Sequence, residues 1–170
     1  VLFRSEAEKE KTQGEKAAAS KLEVQEAAAG EILLSSHMEG SAIPMSEVKD
    51  ATFASEVLGK GIAVIPKKGE VTAPCDAVVE TVFATRHAIG LKADNGAEIL
   101  IHVGINTVEL GGKFYTSYVK EGDRVKTGQV MLTFDMEKIK EAGYDLTTPM
   151  IITNSDDYRE IKILKRRSEE

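Results

Sequence analysis

The chain has 170 residues, 42% of them hydrophobic, which is room for one domain of the usual ~100 to 150 residues and too little for two catalytic ones. Lys and Arg number 22 against 28 Asp and Glu, a formal net charge of −6 with a pI of about 5.2, which argues against a nucleic-acid backbone as partner, since that needs a basic face. The single cysteine, Cys75, excludes an internal disulfide and a cysteine-based zinc cluster and fits a reducing compartment, and no stretch approaches the ~18 consecutive apolar residues of a membrane span.

The first five residues, Val1-Leu2-Phe3-Arg4-Ser5, lack the apolar core and cleavage site of a signal peptide. They read as the translation of a common sequencing-adapter end and are assigned no structural role; the start at Val1 carries the expectation of a piece of a longer chain. From Glu6 to Glu31 the composition is almost entirely Ala, Glu, Lys and Gln, with Ala17-Ala18-Ala19 and Ala27-Ala28-Ala29 and few large apolar side chains beyond Leu22 and Val24. High helix propensity with little to bury predicts a charged, flexible or partly helical linker over residues 1–31 that does not pack on the domain. Leu22 and Val24 do not build the apolar stripe of a partner-binding amphipathic helix.

After Glu31 short β-branched runs alternate with turns. Strands are predicted at 61–65, 70–73, 77–83, 87–94, 97–103, 129–134, 149–153 and 159–164. Many short strands at this spacing predict an all-β fold, an antiparallel sandwich or barrel-like domain. One short helix interrupts them, with Asp135 as N-cap, Met136 to Ala142 as body and Gly143 just past its end. The turns Glu121-Gly122-Asp123 and Thr127-Gly128-Gln129 flank Val125 and predict closely spaced bends between short strands.

Asp94-Asn95-Gly96 is the strongest local signal, because Asn-Gly accepts positive φ at both central positions of a two-residue type I′ hairpin. With Asn95 and Gly96 as the loop, Leu91 opposes Leu100, Ile89 opposes His102 and His87 opposes Gly104. That register puts His87, Ile89, Leu91, Leu100 and His102 on one face, with the two histidines diagonal neighbours at roughly 7 to 8 Å between backbones. Thr85 has the same parity and is within hydrogen-bond reach of His87.

Two histidines among apolar residues admit three readings. They can be structural, each satisfied by a backbone partner, although two groups that both become cationic fill a core awkwardly. They can be part of a metal site, but without a third protein ligand a zinc centre is incomplete. Or one can be a nucleophile and the other its helper: an imidazole kept neutral by Ile89 and Leu100 retains a free lone pair, and the second ring donates a hydrogen bond to the transferred group.

The run Leu100-Ile-His102-Val-Gly104-Ile-Asn106-Thr-Val108-Glu-Leu110 resembles the active-site signature of the glucose-type enzyme IIA domain of the bacterial phosphoenolpyruvate:sugar phosphotransferase system. The resemblance runs from about Ile32 to about Asp157 through Ser46 to Ala63, Val71-Thr-Ala-Pro74, Phe83-Ala-Thr85-Arg86-His87-Ala-Ile-Gly90 and Thr148-Pro-Met-Ile-Ile-Thr-Asn154. It is greatest to IIA domains fused at the C-terminal end of β-glucoside or sucrose permeases of Gram-positive bacteria. It implies a phosphocarrier, a IIA component of the phosphotransferase, in which His102 accepts phosphate on Nε2 from phospho-HPr and passes it to a cysteine of a IIB domain. In that scheme His87 stabilises the phosphoryl group, Thr85 contacts His87, and Phe53, Phe83, Leu100 and Val108, with Asp50 nearby, face the partners. No dissociable cofactor and no metal are implied. The location implied is cytoplasmic, tethered to a membrane IIC domain, with the domain over residues 32–162 and a charged tail over 163–170.

Three residues depart from the family pattern or stand beside it. Asn106 occupies a position usually held by Asp, which removes a negative charge while Asp50 and Glu109 remain. His37, where relatives often have Pro, reads as surface variation, and Cys75 after Pro74 is assigned no chemistry. Two other classes of function compete. A biotinyl or lipoyl carrier shares the half-barrel look of Val119 to Val130 but needs a lysine at a hairpin tip, whereas Lys138 lies in the predicted helix. A regulatory binding module that is never phosphorylated is the other. A zinc peptidase of similar architecture needs a His-x-His element, which the sequence lacks.

Overall fold

The computed structural model describes residues 2–4, 33–158 and 162–164. The linker expected over 1–31 lies outside the described residues apart from β1 (Leu2–Arg4), which pairs antiparallel with β12 (Lys162–Leu164). Leu2 to Arg4, to which the sequence assigned no structural role, form one strand of this pair.

Ten further strands form two antiparallel sheets. The larger runs in the order β2 (Gly40–Pro44), β3 (Lys60–Pro66), β11 (Thr148–Ile152), β7 (Glu98–His102), β6 (Ala88–Ala93), β5 (Ala77–Val82), β9 (Arg124–Val125). The smaller runs β4 (Glu70–Thr72), β10 (Val130–Phe134), β8 (Tyr115–Ser117). Their inner faces share one core, in which Val71, Met131 and Leu132 of the small sheet join Ile62, Val64, Leu91, Ile101 and Met150 of the large one. This is an open sandwich rather than a closed barrel. The alternate residues Ala63, Leu100 and Ile151 point to the other face of the large sheet, where Met45, Val48 and Phe53 cover them in a second, smaller cluster. The cover is the segment of a short 3-10 turn (Met45–Glu47) and helix α1 (Ala51–Ala54), whose N-cap Asp50 accepts a hydrogen bond from the Thr52 N–H. The predicted helix appears as α2 (Met136–Glu141), with the Asp135 carboxylate accepting from the Lys138 N–H and Gly143 at φ 94 beyond the Ala142 cap.

Two expectations are corrected. The hairpin between β6 and β7 closes with three residues, not two: the Gly96 N–H donates to the Ala93 carbonyl at 3.0 Å and Ala93 pairs with Ala97. Only Gly96 has positive φ there (100°), while Asn95 bonds through Oδ1 to the Ala97 N–H, so a turn ending in a left-handed glycine replaces the type I′ loop. Every pair moves by one residue, Gly90 facing Leu100 and Ala88 facing His102. Ile89 and Leu91 therefore point into the main core, whereas Leu100 and His102 lie on the opposite face. His37 is the second correction, for it is not surface variation but fully buried. Leu34, His37 and Met38 tuck into the core together, and the backbone is pinned by the Thr72 N–H donating to the His37 carbonyl.

Candidate active site

His102 is the last residue of β7 and half-buried; beyond it the chain turns sharply at Gly104 (φ 89) and Asn106 (φ 61). The turn brings the Gly104 carbonyl back to His102 Nδ1 at 2.8 Å. A carbonyl only accepts, so Nδ1 carries the proton and the lone pair of the neutral ring is on Nε2. Glycine is required at 104, since a Cβ would lie 2.6 Å from the Thr107 methyl group.

His87 sits one residue before β6 begins and is 2% exposed. Arg86, in the left-handed region at φ 56, breaks the strand just ahead of it. The two imidazoles meet at this irregular strand end, with centroids 4.7 Å apart and planes at 82°. The proximity inferred from a type I′ register is present, then, although that register is not, and the rings meet where the chain leaves regular strand geometry beside Arg86. His87 Nδ1 shares a 2.6 Å hydrogen bond with Thr85 Oγ1. Phe53 lies against His102 at 5.0 Å and Phe83 against His87 at 5.6 Å, edge-on.

Both rings are held neutral. Burial lowers the His102 pKa below the ordinary 6.5, against the Gly104 carbonyl and the Asp50 charge, which raise it. Burial, then repulsion from His102, lowers His87 to about 4. A neutral imidazole whose Nδ1–H is engaged is a competent nucleophile at Nε2.

The other singled-out residues fall into two groups. Phe83 and Val108 are 42% and 50% exposed and form the accessible apolar rim. Phe53 is only 7% exposed and with Leu100 belongs to the smaller cluster beneath His102. Asp50 caps α1, and Glu109 accepts from the Tyr144 hydroxyl at 3.0 Å. The Gly104 carbonyl, which selects the tautomer, is a site group that sequence reasoning missed; the glycine two residues after a histidine at a strand end was its only signal. Among the described residues no group of three or more His, Cys, Asp or Glu side chains is placed to hold a metal ion, and no helix is long and apolar enough to cross a membrane.

Fold and site together define a β-sandwich protein with a paired-histidine centre at the end of one hairpin. Residues 32–158 match the family model described as phosphoenolpyruvate-dependent sugar phosphotransferase system, EIIA 1. The chain is similar to the β-glucoside-specific EIIBCA component of Bacillus subtilis (strain 168), 49% identical over 126 residues that make up 74% of this chain and 21% of that one. It is also similar to the glucose-specific EIIA component of Oceanobacillus iheyensis, 46% identical over 135 residues, covering 79% of this chain and 82% of that one. The solved glucose permease IIA from Mycoplasma capricolum superposes with a TM-score of 0.67 at 33% identity, over 71% of this chain and 77% of that one. The chain belongs to the EIIA family of the sugar phosphotransferase system, whose members are phosphotransferase components of sugar uptake. It spans about a fifth of the length of the fused EIIBCA relatives.

Proposed function

We propose that this domain is a phosphocarrier in which His102 is the phosphorylated residue, receiving from phospho-HPr and donating to a cysteine of a IIB domain. The observation that carries the reading is the 2.8 Å bond from His102 Nδ1 to the Gly104 carbonyl, which leaves Nε2 free in a half-buried ring. In the first step the Nε2 lone pair attacks phosphorus, an N–P bond forms on His102, and the donor's N–P bond breaks with its electron pair returning to the donor imidazole. In the second a cysteine thiolate attacks, an S–P bond forms, and the pair of the His102 N–P bond returns to Nε2. Little covalent chemistry is asked of the protein, so positioning and charge stabilisation dominate.

His87 supplies the stabilisation. With the Thr85 hydroxyl donating to Nδ1, the His87 proton resides on Nε2 and is directed to a phosphoryl oxygen on the adjacent ring. The exposed Phe83 and Val108 exclude water when a partner docks without burying an unpaired charge. The fused architecture of the relatives supports IIB and IIC portions in the same permease, a cytoplasmic position for this domain, and a β-glucoside as the sugar. Incubation with phosphoenolpyruvate, enzyme I and HPr tests the reading: the wild-type chain takes up one phosphate and His102→Ala takes up none. Equal labelling of His102→Ala would overturn it.

A further inference from the structure

Building on the reading of His102 as the nucleophile, we propose that Thr107 and Tyr115 are positioning residues that clamp the Val103–Gly104 peptide and so hold His102 in its Nδ1–H tautomer. Their two hydroxyls converge on one atom: Thr107 Oγ1 donates to the Val103 carbonyl at 2.7 Å and Tyr115 OH donates to the same oxygen at 2.9 Å. Both side chains are buried. A carbonyl oxygen has two lone pairs, and both are filled here.

Val103 is also the residue that joins the two histidines. Its N–H donates to the His87 carbonyl at 2.7 Å, and the next carbonyl along the chain, that of Gly104, accepts from His102 Nδ1 at 2.8 Å. The Val103–Gly104 peptide sets where the Gly104 Cα lies and so where its carbonyl points, and turning that peptide to carry the Gly104 oxygen away from Nδ1 would strand two buried hydroxyls. The segment is held beyond Gly104 as well, by the Ile105 N–H on the Asp145 carbonyl at 2.9 Å. The Thr107 methyl group fills the space that a side chain at residue 104 would need, which leaves room there for glycine alone. Tyr115 belongs to β8 of the small sheet, so through it the nucleophile's tautomer is anchored on the opposite layer of the sandwich. Burial pushes its phenol up to about 12, which keeps the hydroxyl a donor at every pH where the domain works.

Long-range ¹H–¹⁵N spectra of the whole chain labelled at histidine nitrogens read the tautomer directly. In the wild type His102 Nδ1 is protonated and Nε2 is not. In Tyr115→Phe, and more so in Thr107→Val/Tyr115→Phe, the two nitrogen shifts move toward one another, and turnover of phospho-HPr falls about tenfold with KM unchanged, as expected for an orientation held by about one hydrogen bond. Thr107→Ser keeps the hydroxyl and returns the wild-type spectrum. Val125→Ala, a core truncation on β9 away from the histidines, controls for lost stability and leaves the tautomer alone. Unchanged His102 shifts in Tyr115→Phe, or an equal change in Val125→Ala, would overturn the inference; should the double variant fail to fold, the Tyr115→Phe spectrum decides. A wild-type protein that took no phosphate on His102 would instead overturn the functional reading, and the tautomer spectra would still decide the clamp.

Discussion

Lowering the pH from 7 to 5 tests the burial of His37, because most carboxylates titrate below that range. The ring is fully buried; Nε2–H donates to the Thr148 carbonyl at 2.9 Å, and Nδ1 has no partner among the described residues. Burial lowers its pKa from 6.5 to about 4. The folded pKa is thus below the unfolded one, and protons bind the unfolded chain first. Stability is full above about 6.5, declines as pH falls, and has lost its whole share near pH 4. A shift of this size corresponds to about 3 kcal/mol in all and about 2 kcal/mol by pH 5, a large part of a typical domain's ~5 to 15 kcal/mol. His87, also lowered to about 4, adds a loss of the same sign, so the His37 share is isolated by His37→Gln, which keeps a donor for the Thr148 carbonyl and does not titrate. Urea unfolding of both proteins at pH 7 and pH 5 should show the variant losing about 2 kcal/mol less than the wild type. Equal losses would refute the reasoning and place His37 in contact with water.

His87→Gln should still accept phosphate, but transfer to a IIB domain should slow by about two orders of magnitude, the usual result of losing a transition-state hydrogen-bond donor; stopped-flow transfer assays distinguish the two steps. Phe53→Ala should destabilise the domain by about 3 kcal/mol in urea unfolding, since the ring is buried against His102. Phe83→Ser, at an exposed site, should change stability by less than about 0.5 kcal/mol while raising KM for phospho-HPr. Gly104→Ala should cost about 2 kcal/mol or more, because φ is 89° and its Cβ would strike Thr107, and the accompanying shift of the 104 carbonyl should slow phosphate uptake.

Periodicity located the strands well where apolar residues alternate within a two-sided core, as in β5, β6, β7 and β10. It missed β2, whose Gly40-Ser-Ala-Ile-Pro44 has little apolar contrast, and α1, one turn long with only Phe53 buried. The Asp135 cap was readable because capping chemistry is local. The hairpin register was not, because Asn-Gly suits both a type I′ loop and a longer loop ending in a left-handed glycine, and the choice depends on what β5 and β11 pack against. The histidines meet where the chain leaves regular strand geometry beside Arg86, whose positive φ has no signal in the sequence. His37 illustrates the same limit from the other side. In Ser35-Ser36-His37-Met38-Glu39 no period separates buried from exposed, and only the contacts with β4 and β11 decide that the imidazole goes inside.

In the proposed phosphocarrier, Nε2 of His102 carries the phosphoryl group while Nδ1 stays bonded to the Gly104 carbonyl. Phosphorus-coupled ¹⁵N spectra of the histidine-labelled chain, recorded after phosphorylation by phosphoenolpyruvate, enzyme I and HPr, measure this directly. A single phosphorus coupling is expected, to Nε2 of His102, with its Nδ1 still protonated. Coupling to Nδ1 of His102, or to either nitrogen of His87, would contradict it.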